Sequence, residues 1–526
     1  RQGPALLLFS LLSAAYSIAL NAEEAVGARQ QQFDMVILNG RVIDPETSLD
    51  AIRNIGVSGG KILAVTAEPI EGEQTLDATG KVVAPGFIDL HAHGQSILAG
   101  RVQALDGVTT ALELEAGLLP VADFYEQAGA EGRPIHYGTS VSWGAARIGE
   151  FTGNAPVADL DFFFDSMSEQ TWQQEVATEE QLANILDAVQ QGLDQGGLGV
   201  GVLLGYAPGS GHSEYFELNA LAAENEVPTF THARYLSNSE PKSSFEGIQE
   251  MIAVSASTGA HLHICHLNSI SMRDIEPIAL AITEAQRNGV RISTEAYPYG
   301  AGATGIGAAM FRGDGWQARR GGISKSDFTL DGVPLTDDEF DRLQAEAPET
   351  GIIVHFLNLK ERPRDQVLLD MSVLLPGGAI ASDGGGWSGK DGIINDDVWP
   401  LPETAHSHPR SAGTYSRFLR TYVREQGKIT LSEAIAKASL IPAQILEDSV
   451  PQMRSKGRLQ VGADADIVIF DLENVSDMAT FEVPARPSIG FEYVIVMGTP
   501  LVVEGVVDTN VLPGQPVRRH QQKGTQ

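Results

Sequence analysis

Two histidines, His91 and His93, sit two apart in the segment PGFIDLHAHG. On a strand, residues i and i+2 face the same side, about 6.5–7 Å apart. Two imidazoles so placed can converge on one divalent metal, with bonds of about 2.0–2.1 Å for zinc. Asp89 shares that face and can support a ligand from behind. Taken alone, His-x-His also describes two surface histidines. Here it follows a strand that leaves a Pro-Gly turn, which favours a built site.

Further candidates follow in order along the chain. Glu113 and Glu115 share a face in GVTTALELEAG. Two carboxylates together are costly unless a cation neutralises them, so one is a candidate metal ligand. His232 ends an apolar run in VPTFTHARY, and GAHLHICHLNS carries His261, His263 and His266. Strand parity places His261, His263 and Cys265 on one face and His266 on the other. The last residue lies nearest a strand's end, so His266 is chosen as the ligand, His263 is the second choice and His261 reads as structural. Cys265 reads as a buried apolar residue. Asp383, in ASDGGG, could take a proton from water beside a metal and return it to a leaving group.

These residues need strand ends that converge. Apolar strands are expected at 86–91, 109–114, 199–204, 228–232, 261–266, 292–295, 352–356 and 378–382, with helices at 179–191, 245–257 and 275–288 among them. Strands alternating with helices argue for parallel βαβ units. Eight such strands between 85 and 450 fit an α/β fold of the TIM-type (β/α)8 barrel class, whose active residues lie at the C-terminal strand ends. Short strands separated by Gly and Pro bracket this region. They include 35–38 and 41–43 around an Asn39-Gly40 turn, 55–57 and 61–65 around Gly59-Gly60, 81–83, 467–470, 493–497 and 501–503. One small β-sandwich domain built from both termini, 33–84 plus 455–510, is the simplest reading.

Composition narrows the partners. The chain has 526 residues, 43% of them hydrophobic, enough for a large domain with a smaller companion. Its net charge of −32 argues against nucleic acid and anionic membrane surfaces. The single cysteine, Cys265, excludes an intrachain disulfide. The apolar run Pro4–Leu20 after Arg1 reads as a signal peptide, residues 1–22 with cleavage near Ala22, and so predicts a secreted or periplasmic protein. No other stretch is apolar for long enough to span a bilayer, so stable membrane insertion is not expected. The oligomeric state, including a homo-oligomer, is left open.

The chain resembles the amidohydrolase superfamily, and within it the D-aminoacylase (N-acyl-D-amino-acid deacylase) group. The resemblance rests on DMVILNGRVIDP, DATGKVVAPGFIDLHAHG, GYAPGSGHSEYFEL, THARY, HICHLNS, EAYPYGAGAT, ASDGG, HPRSAGTYSRFLRTYVRE and GADADIVIFD. It implies that His91, His93, His232 and His266 bind one or two divalent metals, usually zinc. It also implies that Asp383 serves as general base and acid in attack of water on an amide carbonyl. Two departures stand out. The group's Asn-Cys-Gly triplet is replaced by Glu115-Ala116-Gly117, so the ligand there is a carboxylate, as in N-acetylglucosamine-6-phosphate deacetylases. Glu115 is chosen, with Glu113 as alternative, and an oxygen ligand also admits Mn, Fe or Co. The group's substrate-binding lysine is replaced by Asn268. Tyr206, Arg234, Asn268, Tyr297 and Arg410 are the candidate substrate contacts. The expected substrate is an N-acyl amino acid, D in configuration, or a related small amide. A cyclic amidase or deaminase of the hydantoinase or dihydroorotase kind, or a dipeptidase, is the alternative. Cyclic amidases commonly use a carboxylated lysine at a strand end, and no convincing lysine is found there.

Overall fold

The computed structural model describes residues 32–390, 392–394 and 398–520. The signal-peptide reading of residues 1–22 lies outside them. Eight parallel strands form the barrel: β1 (Phe87–Asp89), β2 (Val108–Leu118), β3 (His136–Ser142), β4 (Val200–Leu203), β5 (Pro228–His232), β6 (His261–Ile264), β7 (Ile292–Ala296) and β8 (Ala379–Ile380). They are hydrogen-bonded in chain order from β1 to β8. The seam between β8 and β1 is closed just past the strand ends. There the Asp383 N–H donates to the His91 carbonyl at 2.8 Å, and the His93 N–H to the Gly384 carbonyl at 2.8 Å.

The helices around the barrel follow local rules. In Glu179–Asp194, Thr178 and Gln181 form a capping box, and Ile185, Val189 and Leu193 recur every four residues on the buried face. Burying each such side chain is worth roughly 1.5–3 kcal/mol. Ser243 and Glu246 cap Ser244–Thr258, which stops at Gly259, a residue at φ 77°. Ile275–Arg287 buries Ile275, Ile278 and Ile282. All three match their expected positions within a few residues.

Two strand assignments change. The apolar stretch at 352–356 is not a barrel strand. Gly351–His355 belongs to a four-stranded antiparallel sheet with Ala301–Gly305, Phe328–Leu330 and Val333–Pro334, inserted between β7 and β8. The strand that takes the vacant place is β3, with the sequence HYGTSVS. Its hydroxyls disguise it: Thr139 Oγ1 donates to the Glu113 carbonyl at 3.2 Å and Ser140 Oγ to the Leu114 carbonyl at 2.6 Å. A polar run is buried because its hydroxyls bond to the backbone, Ser142 Oγ accepting from the Ala145 N–H.

The small domain from both termini is hydrogen-bonded as one continuous nine-stranded sheet. Its halves meet where Val82–Pro85 pairs antiparallel with Ile467–Phe470. Met35, Ile37, Val57, Ile62, Val83 and Ile467 share its core. Asn39-Gly40 is not a hairpin turn. Phe33–Asp44 runs through as one strand, with Asn39 at φ 62° and a register shift between Ile37 and Gly40. Such a bulge bends a strand without ending it. Among the described residues no helix is long and apolar enough to cross a membrane.

Candidate metal centre and active site

The barrel's C-terminal strand ends bring together the six residues expected to hold and use a metal. His91 and His93 follow β1, Glu115 lies on β2, His232 ends β5, His266 follows β6 and Asp383 follows β8. Glu115 is the hub. Its Oε2 lies 3.1 Å from His91 Nε2 and 3.7 Å from His93 Nε2, while its Oε1 lies 3.0 Å from His232 Nδ1 and 2.6 Å from His266 Nε2. The donor atoms fall into two overlapping groups, His91–His93–Glu115 and Glu115–His232–His266, each spanning no more than 4.8 Å. Glu113 does not join them. It accepts from His93 Nδ1 at 2.7 Å and so orients that ring from behind.

The donor set fits divalent cations. His91 Nδ1 is bonded to Glu295 at 2.5 Å and His93 Nδ1 to Glu113. Both rings therefore carry their protons away from the centre, and their Nε2 lone pairs face each other at 3.1 Å. Bare lone pairs packed this closely repel one another unless positive charge lies between them. The surrounding carboxylates draw positive charge to the same place. Burial alone would push His93 down, but Glu113 and Asp383 outweigh it and raise its pKa to about 10. Glu115, Asp383 and Glu295 likewise overcome burial to raise His91 well above its usual value. Burial works against the charge on Glu115, yet His91 and His266 hold it well below the usual carboxylate range.

Two site residues occupy left-handed backbone, which favours glycine. His266 has φ 31° and Asp383 φ 52°. For His266 this revises the parity argument: β6 ends at Ile264, and the left-handed residue, not strand alternation, aims the ring at Glu115. Strain of this kind is held in place by surrounding structure and clusters at functional sites. Asp383 is pinned by its N–H on the His91 carbonyl, and its Oδ1 lies 3.4 and 3.3 Å from the Nε2 atoms of His91 and His93. Arg410 Nη2 donates to the same oxygen at 2.8 Å. Burial opposes its charge, but Arg410 and His91 keep Asp383 below its ordinary pKa.

These residues open into a cavity of about 930 Å³ lined by His93, Glu115, His232, His266 and Asp383. Tyr206, Tyr297 and Arg410 line it, as expected of substrate contacts. Tyr206 Oη bonds Thr304 Oγ1 at 2.8 Å, and its ring packs against His232 with centroids 4.9 Å apart. Arg410 stacks over the Tyr297 ring at 4.6 Å. Burial pushes the Tyr297 phenol up to about 12, so it stays a donor.

Arg234 and Asn268 do not line the cavity. Arg234 is committed to a two-pronged ion pair with Glu250, both bonds 2.8 Å, and to Ser210. Asn268 donates to the Tyr299 carbonyl at 3.0 Å and accepts from the Tyr297 N–H at 3.4 Å. Its role is to fix the backbone around the tyrosines, which a lysine there could not do in both directions.

Sequence reasoning missed two features. Glu295 was visible only as an acid at the end of an apolar strand, yet it bridges His91 and His263. The cavity wall, with Gly302, Thr304, Met310, Phe311 and Arg320, comes from the insertion between β7 and β8, whose strand Gly351–His355 reads in the sequence as a barrel strand.

An α/β barrel whose strand ends present four histidines, a bridging carboxylate and an aspartate defines a class of metal-dependent hydrolases. The sequence model of the amidohydrolase family matches residues 74–150 and 154–502, and the chain belongs to that family, hydrolases that act on C–N bonds. It is 27% identical over 508 residues to an N-acyl-D-glutamate deacylase of Alcaligenes xylosoxydans xylosoxydans, covering 89% of this chain and 93% of the relative. It is 26% identical over 508 residues to a D-aminoacylase of the same organism, covering 90% and 95%. The crystal structure of an N-acyl-D-glutamate deacylase from Bordetella bronchiseptica, complexed with zinc and a phosphonate inhibitor, shares its fold. The TM-score is 0.71 at 22% identity, covering 93% of this chain and 100% of the other.

Proposed function

We propose that this chain removes the acyl group from N-acyl amino acids, with D configuration preferred, using one or two divalent ions of which zinc is the first choice. One observation carries the substrate reading. Beside Asp383, Arg410 Nε and Nη1 and the Tyr297 hydroxyl are buried and have no partner among the described residues. They flank a space left open by Gly302, where a Cβ would lie 3.2 Å from Tyr297 Oη and 3.7 Å from Arg410 Nη1. Three unpaired donors in a buried corner suit a carboxylate. The similarity to D-aminoacylases supports the D configuration.

His91, His93 and Glu115 would hold one ion, and Glu115, His232 and His266 a second. A divalent cation held there supplies Lewis acidity, which lowers the pKa of water and polarises an acyl oxygen. The chain's own residues do the rest. Arg410 and Tyr297 fix the substrate carboxylate and so set where the scissile amide falls. Asp383 Oδ1, ionised and next to the Nε2 atoms of both histidines, accepts the proton of the attacking water and delivers it to the departing amine. Tyr206, held by Thr304, lines the same cavity with its ring against His232.

The test is a substrate screen of zinc-loaded protein with N-acetyl and N-formyl amino acids in both configurations, alongside hydantoins and dihydroorotate. Release of free D-amino acid is expected. Turnover confined to the cyclic amides would overturn the reading.

A further inference from the structure

The corner that offers unpaired donors to a carboxylate is not kept open by the charges in it. Arg410 Nη2 donates to Asp383 at 2.8 Å, while its Nε and Nη1 have no partner among the described residues. An arginine beside a carboxylate tends towards a two-pronged grip. Such a grip would use up the donors that a substrate needs. The spacing must therefore be set by the backbone that carries Arg410. One buried side chain there, His408, has no part in the chemistry proposed above.

The segment reads His408-Pro409-Arg410, and Arg410 is the first residue of the helix Arg410–Phe418. The first N–H groups of a helix find no partner within it. The His408 carbonyl takes the Ser411 N–H at 2.9 Å, and the His408 ring takes the Arg410 N–H on Nδ1 at 3.0 Å. The other ring nitrogen, Nε2, lies 3.1 Å from the Ala301 carbonyl. Ala301 opens the strand Ala301–Gly305 and directly precedes Gly302, the glycine that leaves the corner open. One imidazole thus spans both sides of the corner, with Arg410 on one and Gly302 on the other.

Its proton is placed by its partners. A backbone N–H only donates and a backbone carbonyl only accepts. His408 is therefore neutral, with its proton on Nε2. Burial, at 3% exposure, and the nearby Arg410 charge favour the same form and hold its pKa well below the usual imidazole value. The ring is also wedged. Tyr299 and Phe481 pack against it nearly at right angles, with centroids 5.3 and 5.2 Å away. Asn268 in turn holds the Tyr299 carbonyl at 3.0 Å.

We infer that His408 is a positioning residue for substrate binding, a neutral strut between the Arg410 N–H and the Ala301 carbonyl that sets the width of the carboxylate corner. This rests on the deacylase reading above.

The experiment compares zinc-loaded wild type and variants on N-acetyl-D-leucine and on N-acetyl-D-leucinamide, which lacks the carboxylate, by acetate release. Circular dichroism and zinc content are the controls, and both should match wild type. His408→Phe keeps the packing against Tyr299 and Phe481 and loses both hydrogen bonds. It should raise KM for the acid by about 10–100-fold with kcat within about threefold, and change kcat/KM for the amide by less than about threefold. His408→Asn keeps an acceptor near the Nδ1 position, and His408→Gln a donor near the Nε2 position. Each should limit the rise in KM to about three- to tenfold, and they carry the test if His408→Phe does not fold. A folded His408→Phe protein with an unchanged KM for the acid overturns this inference alone. So does an equal loss on acid and amide, the mark of a merely structural role. Wild-type protein that shows no preference for the acid over the amide overturns the carboxylate reading of the corner as well.

Discussion

The floor of the cavity is made by barrel strand ends, and much of its wall by the antiparallel insertion between β7 and β8. On the floor nearly every polar atom is bonded to another: Glu115 to three histidines, His93 to Glu113, His91 to Glu295. The wall is mostly apolar, with Met310, Phe311, Ile352 and Val354, and its cation Arg320 is handled differently. Arg320 is 5% exposed, its Nε has no partner, and its Nη1 reaches only the Leu236 carbonyl at 3.0 Å. Burial lowers its pKa to about 10. The carboxylates and histidines of the floor bond one another and suit a cation, while Arg410 and Tyr297 beside Asp383 keep donors unpaired among the described residues. The wall keeps polar groups in reserve for something that enters. The chemistry should therefore depend on the floor and the choice of substrate on the wall.

The largest effect that sharpens this contrast is loss of metal. Stripping with a chelator, or Glu115→Gln, should reduce activity to background, and zinc should restore only the wild type, measured by amine release and metal analysis. Next, Asp383→Asn should lower kcat by about a hundredfold to ten-thousandfold while metal content stays at the wild-type level. An unchanged kcat would remove Asp383 from proton transfer. Gly302→Val, on the wall, should raise KM by about tenfold or more with kcat changed less than about threefold, because it fills the corner between Tyr297 and Arg410. A fall in kcat instead would erase the division between floor and wall. The smallest effect is at Arg320. Arg320→Met should raise KM about threefold yet raise Tm by a few degrees, since an uncompensated buried charge costs stability. A lower Tm would show that Arg320 belongs to the packing of the wall.

The same division explains what could be read from the sequence. Floor residues betray themselves because each chemistry-bearing side chain interrupts an apolar strand at its end: His232 in VPTFTH, Asp383 after GGAIA. His266, picked out by its nearness to the mouth, does meet Glu115, although a left-handed residue and not strand parity aims it there. The sequence could not say that Glu113 and Glu115, two apart on one strand, would divide the work, one meeting His93 from behind and the other the centre. That depends on the neighbouring strands. The wall was illegible because its strands carry the same apolar pattern as the barrel's. Nothing in IIVHF says which sheet it joins. Strand β3 was hidden for the opposite reason, since its burial depends on hydroxyls finding carbonyls across strands. Arg234 was misleading because its pairing with Glu250 is visible only once the helix Ser244–Thr258 is in place.

The seam between the first and last barrel strands gives the fold a kind of self-inspection. The residue that completes the ring, Asp383, donates its backbone N–H to His91 and offers its side chain as the proposed proton carrier. A chain that has folded its first seven strands already holds its histidines and Glu115, and so could gather metal. It still lacks the carboxylate proposed to carry the proton. On the proposed mechanism, the same residue closes the circle and carries the proton, so the barrel's last join and its reactive carboxylate are set by one hydrogen bond.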